Sequence, residues 1–247
     1  MRPRVDGIVL IHGVGSDIAD SFGETVGWLG DHTTVVPYHL PGSGGRPVEG
    51  PLALESVVRE VRAAAGTAGL SRYVPVGSST GSAVAVAVAH AARSEVAGLV
   101  ATAGFAHADS SLRLALDVWD ALLDHPDPEV PGRYLTLVDF GTSWLRSASE
   151  EVITETYRAV ATGLPPGTSA QLDLARSIDV RDLLHEIEVP ALVVAGDEDR
   201  LVPPHLSAEL AAGLSGAELV TVRSGHAWSQ EAPRVWCDLV VGFLERL

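Results

Sequence analysis

No lysine occurs in the 247-residue chain, so all 17 of its basic residues are arginines. A Schiff-base lysine, a P-loop lysine and a Ser–Lys catalytic pair are thereby excluded. Pyridoxal-phosphate enzymes, P-loop NTPases and protein kinases fall with them. Cysteine is nearly as scarce: Cys237 stands alone, so no intrachain disulfide forms. It lies in the apolar stretch 235–244 and reads as a buried small hydrophobe. The 17 arginines face 32 acidic residues, a formal charge of -15. Such a chain repels nucleic-acid phosphates and anionic membranes, and neither is expected as a partner. No apolar run reaches the roughly 18 residues of a membrane span. The run 7–11 is too short and wrongly flanked for a signal peptide, so a cytoplasmic protein is expected.

Short β-branched-rich runs alternate with helical patterns. The runs are 7–11, 34–40, 73–76, 96–101, 190–195 and 218–222, and none shows clean polar/apolar alternation. That is the pattern of strands covered on both faces. Helical spacing follows in 52–65, 82–92, 206–214 and 234–247. Strand–helix alternation predicts a mostly parallel, doubly wound α/β sheet, with functional loops at the carboxyl ends of the strands. Between 107 and 187 the alternation stops. Helical patterns follow one another at 111–123, 135–146, 149–162 and 169–184, punctuated by prolines. This stretch reads as a helical lid, giving a core of 1–106 and 188–247 with a cap of 107–187.

The chemistry-bearing residues fall at strand exits. Gly77-Ser78-Ser79-Thr80-Gly81 matches G-x-S-x-G between a strand and a helix. The glycines relieve crowding in a tight turn that holds the Ser79 hydroxyl out of the sheet. The same turn offers the Thr80 N–H as an oxyanion donor. Ser78 is the neighbouring alternative. A serine hydroxyl needs a base, and His226, directly after the sixth run, is the histidine placed to serve. An imidazole base needs a carboxylate behind it; Asp199 is preferred and Asp197 is the alternative. His12-Gly13-Val14-Gly15 after the first run lets the backbone approach a ligand, with the Val14 N–H as second oxyanion donor. His12, Gly13, Trp119, Trp144 and Trp228 are candidate substrate contacts. Arg113, Arg133 and Arg146 could hold a substrate carboxylate or carrier phosphate, although solvated charges are the simpler reading. His125, Asp127 and Glu129, like His107 and Asp109, offer metal-ligand types, but in segments where acidic side chains serve as caps. No metal and no cofactor is expected.

Taken in order, these motifs resemble those of the alpha/beta-hydrolase superfamily over nearly the whole chain. They are His12-Gly13, Leu40-Pro-Gly-Ser-Gly44, Gly77-x-Ser79-x-Gly81, Gly196-x-x-Asp199-x-x-Val202-Pro203 and Gly225-His226 with Glu231-x-Pro233. The resemblance implies Ser79 as nucleophile, His226 as base, Asp199 as acid and Val14 and Thr80 as backbone oxyanion donors. It also implies a helical cap between Phe105 and Pro190. Two departures stand out. Only about six residues precede the first strand, so the usual N-terminal hairpin is expected to be missing and the sheet to have six strands. His39 occupies a position where the family commonly has aspartate, which puts a local hydrogen bond of the following turn in question.

The expected activity is hydrolysis of an ester or thioester through a Ser79 acyl-enzyme. Alternatives are acyl transfer from a carrier-protein or coenzyme A thioester to a non-water acceptor, and cofactor-free lyase or C–C hydrolase chemistry with His226 as base. The last is non-catalytic binding of a small ligand. The expected partner is a small-molecule acyl substrate, free or carrier-bound; the motifs say nothing of oligomeric state.

Overall fold

The computed structural model describes residues 5–247. A single six-stranded sheet is formed by β1 (Gly7–Ile11), β2 (Thr34–Tyr38), β3 (Tyr73–Ser78), β4 (Leu99–Thr102), β5 (Ala191–Gly196) and β6 (Glu218–Val222). Its order is β2-β1-β3-β4-β5-β6 and every pairing is parallel. The four inner strands are buried along their length, as their unbroken apolar runs require. The edge strands β2 and β6 are partly exposed. The chain reverses direction across the sheet at β1, so the loops after β1 and β3 lie side by side at a switch point, where open α/β sheets hold ligands.

Helices cover both faces. On one side α3 (Leu54–Thr67), α4 (Thr80–Ala91) and α11 (Pro204–Gly213) enclose a core with Val9, Ile11, Ala101 and Val193. The α4 sequence TGSAVAVAVAHA is apolar all round, and Thr80 to Ala89 are buried, so packing overrides the modest helix propensity of its valines. On the other side α2 (Thr25–Gly30) and α13 (Pro233–Leu244) pack with Ile8, Leu10, Val76 and Val194. There Trp236 stacks on Trp228 with ring centroids 4.3 Å apart and donates from Nε1 to Thr102 Oγ1 at 2.8 Å. Two short helices before β2, α1 (Ile18–Phe22) and α2, had no counterpart in the sequence reading.

Between β4 and β5 run α5 (Ser110–Leu123), α6 (Glu129–Asp139), α7 (Thr142–Ser147), α8 (Glu150–Gly163), α9 (Thr168–Ser177) and α10 (Arg181–Leu184). The expected helix 135–146 is two helices, broken at Phe140–Gly141, where the Gly141 N–H turns to the Glu231 carboxylate. The expected helix 169–184 is also two. His107 and Asp179 form a β-bridge there, and the Val180 N–H donates to Ala106 O at 2.8 Å, drawing the chain out of helix.

Candidate active site

The turn from β3 into α4 places Ser79 at φ 54°, ψ -125°, a left-handed region that a non-glycine residue enters only under constraint. The constraint is steric. A Cβ on Gly77 would collide with Gly81 O, and one on Gly81 with Ile11 O; one on Gly13 would lie 2.8 Å from Ser79 Cβ. The Ser79 N–H donates to Thr102 O at 2.9 Å. Ser78 is differently engaged, since its Oγ accepts from Trp228 Nε1 at 3.2 Å.

His226 follows β6. Its Nδ1 donates to Asp199 Oδ2 at 2.7 Å, and Asp199 is buried. Asp199 Oδ1 accepts from the Leu201 and Val202 N–H groups at 3.0 and 2.8 Å, which fixes the carboxylate. Because the carboxylate accepts, Nδ1 carries the ring proton and Nε2 is left to take another. Burial pulls the His226 pKa down, but the Asp199 charge and hydrogen bond, with the Asp139 charge, leave it raised above its ordinary 6.5. Glu231 Oε1 accepts from Gly225 N at 2.9 Å and so anchors the histidine loop.

Ser79 and His226 line one cavity of about 410 Å³. Gly13, Val14, Trp119 and Trp228 line it too, whereas His12 and Trp144 do not. His12 is fully buried as a tie between loops: Nε2 accepts from Leu40 N at 2.9 Å and Nδ1 donates to Gly13 O at 2.7 Å. Burial lowers its pKa to about 4, so it stays neutral. Trp144 packs its ring on Phe140. Trp228 is buried, with its Nε1 turned to Ser78 Oγ. Thr80 opens α4, so its N–H is one of the four that find no partner within the helix. Val14 is held in place by its neighbour: the Gly15 N–H donates to Gln171 Oε1 at 2.9 Å.

Gln171, on α9, went unnoticed in the sequence. It is fully buried, and its Nε2 also donates to Pro41 O and Ser43 Oγ at 3.0 and 2.9 Å. One side chain thus joins the loops after β1 and β2 to a helix of the 110–184 segment. Asp139, the last residue of α6, went unnoticed as well. It lines the cavity, and burial, with the Asp199, Asp20 and Glu231 charges, pushes its carboxyl up to about 7 against the opposing pull of His226. A lone Gln or Asp at the end of an amphipathic pattern has no spacing signature that would mark it.

The expected weakness at His39 is present: its buried Nδ1 has no hydrogen-bond partner. Arg46 bonds to the His39 carbonyl instead and pairs with Glu60 at 2.6 Å, so the turn is held from outside. Arg113, Arg133 and Arg146 are not among the cavity-lining residues; Arg113 donates to Ala108 O, and Arg133 pairs with Asp127 and Glu129. Asp109 caps α5 through Leu112 N. Among the described residues no group of three or more His, Cys, Asp or Glu could hold a metal ion, and no helix is long and apolar enough to cross a membrane.

A model of the "Alpha/beta hydrolase family" matches residues 8–239. A protein of Azorhizobium caulinodans provisionally named carbamate hydrolase RutD is 30% identical, over 94% of this chain and 92% of its own. The pyrrolizixenacetamide deacetylase of Xenorhabdus hominickii is 27% identical, over 96% of this chain and 90% of its own. Among solved structures, the enol-lactonase of Burkholderia xenovorans LB400 superposes with a TM-score of 0.86 at 21% identity, over 99% of this chain and 94% of that one. The last likeness speaks for the fold alone.

Proposed function

The chain belongs to the alpha/beta hydrolase family and is an enzyme of that fold, and from this we propose that it is a serine hydrolase of ester-type bonds acting through a Ser79 acyl-enzyme. The observation that carries the reading is the 2.7 Å bond from His226 Nδ1 to Asp199 in a cavity shared with Ser79. His226 Nε2 takes the proton from Ser79 Oγ as that oxygen attacks the scissile carbonyl. The oxyanion forms beside the Val14 and Thr80 N–H groups, the latter at the positive end of α4. His226 passes its proton to the departing alcohol or amine, leaving an acyl ester on Ser79. Water then attacks that ester, gives a proton to His226 and releases the acid with Ser79 restored.

In the same reading, 1–106 and 188–247 are the catalytic core and 107–187 the cap; α5, α6 and α8 supply the cavity wall opposite Ser79. The substrate is a small molecule. The named activities of the relatives, on a carbamate and on an acetamide, favour acyl groups bonded to nitrogen as well as to oxygen. A carrier-bound acyl substrate also falls within this reading, since a pimeloyl-[acyl-carrier protein] methyl ester esterase of Neisseria meningitidis is 28% identical over 92% of this chain and 89% of its own.

Fluorophosphonate labelling of intact protein, read by mass spectrometry, tests this. One adduct per chain is expected, lost in Ser79→Ala and in His226→Ala. Wild-type protein that stays folded and unlabelled, and that turns over ester substrates undiminished in Ser79→Ala, overturns it.

A further inference from the structure

The cavity beside Ser79 has a one-sided charge. Asp139 lies in its wall and Asp20 and Glu155 at its exposed rim; among the described residues no arginine lines it, and of these His226 alone can carry positive charge there. Asp139 is fixed by its main chain, whose carbonyl accepts from Ala227 N at 2.9 Å. Its Oδ1 is nevertheless buried with no hydrogen-bond partner. The buried Trp119 of α5, which lines the same cavity, carries a second unpartnered group, the Nε1–H. Buried polar groups are nearly always paired, so an orphan acceptor and an orphan donor on the walls of one cavity mark places for ligand atoms. The titratable groups that act on Asp139 are His226, Asp199, Asp20 and Glu231, and three of these four are acids.

Resting on the hydrolase reading, we propose that the substrate carries a protonated amine, which the Asp139 carboxylate receives, and an oxygen acceptor that takes the Trp119 N–H. An ammonium brings the positive charge this cavity lacks. It gives Asp139 a charge-assisted donor, a stronger bond than a neutral one. A carboxylate or phosphate at the same place would meet only like charge. An uncharged alkyl end would leave Asp139 unpaired. With the Asp139 pKa near 7, binding the cation at neutral pH also expels a proton from the carboxyl.

The test uses ethyl esters with acyl chains of equal length ending in ammonium, methyl or carboxylate. A second series carries the three ends on the alcohol. Both kcat/KM of the wild type and Kd for Ser79→Ala protein are measured, so the ranking is read even without turnover. The ammonium ester is expected to bind best in at least one series, by about tenfold over the methyl ester, and the carboxylate worst. Asp139→Asn brings the ammonium-to-methyl ratio close to one, by raising KM for the ammonium ester. Trp119→Phe weakens ammonium and methyl esters alike, since both offer the carbonyl. Ammonium and methyl ends bound equally in both series, or lowered together by Asp139→Asn in folded protein, overturn the proposal. Failure of the hydrolase reading shows separately, as undiminished turnover in Ser79→Ala.

Discussion

At His226 two opposing influences meet. Burial favours the neutral ring, while the Asp199 and Asp139 carboxylates favour the imidazolium and prevail. In the proposed mechanism His226 is the base and works only when neutral, so the acid limb of kcat/KM against pH is expected above the ordinary 6.5. Asp139→Asn removes one anion and is expected to move that limb to lower pH; a limb that stays in place would show that His226 does not feel Asp139. Asp199→Asn, by contrast, presents an amide to Nδ1 and undoes the tautomer. It is expected to lower kcat by roughly three to four powers of ten, with little change in KM, in steady-state assays. The meeting of His226 with Asp199 and with the cavity that Ser79 lines was legible in the sequence, because each of the three follows a strand and belongs to a short motif. Asp139 and Gln171 were not, and of Trp119 only its place as a candidate substrate contact was, not its unpartnered N–H. Their meaning comes from which partners they have or lack, and a partner 130 positions away, as Pro41 is for Gln171, leaves no local trace.

Among the elements, the β3–α4 turn is the most constrained. Gly77 and Gly81 face backbone atoms, which cannot swing aside as a flexible side chain would. Gly81→Ala is therefore expected to destabilise the protein by about 1–3 kcal/mol or more, seen as a lower midpoint in urea unfolding. Activity is expected to fall with it, because the same backbone aims Ser79. The strands and the principal helices of the core were legible, since burial on both faces or on one stripe leaves a period in the sequence. The breaks at Phe140–Gly141 and near Asp179 were not. Each helix there stops because a distant group claims its backbone: Glu231 takes the Gly141 N–H and Ala106 the Val180 N–H. The α1 and α2 helices have 5 and 6 residues, too few for a helical period to show.

On the scale of the molecule, two apolar layers hold the sheet, and Trp236 sits fully buried in one of them. Trp236→Ala is expected to cost about 3–5 kcal/mol, read by chemical denaturation. Acidity acts on the whole as well. Asp139 binds its proton more tightly folded than unfolded, so its contribution is full below the ordinary 3.8 and is lost as pH rises through about 7. The unfolding free energy of the wild type should thus decline more steeply between those pH values than that of Asp139→Asn; parallel curves would show an ordinary carboxyl. Gln171 has a consequence of a different kind. Its amide ties α9 to Gly15, next to Val14, and to the loop after β2. Any excursion that lifts α9 away must release the loop that presents the Val14 N–H. In the proposed mechanism, admission by that route and competence for reaction are then mutually exclusive, as in an interlock: a bystander ester that enters while α9 is displaced finds Ser79 without one of its two proposed oxyanion donors. Traffic that preserves the machinery must pass by a route that leaves α9 seated.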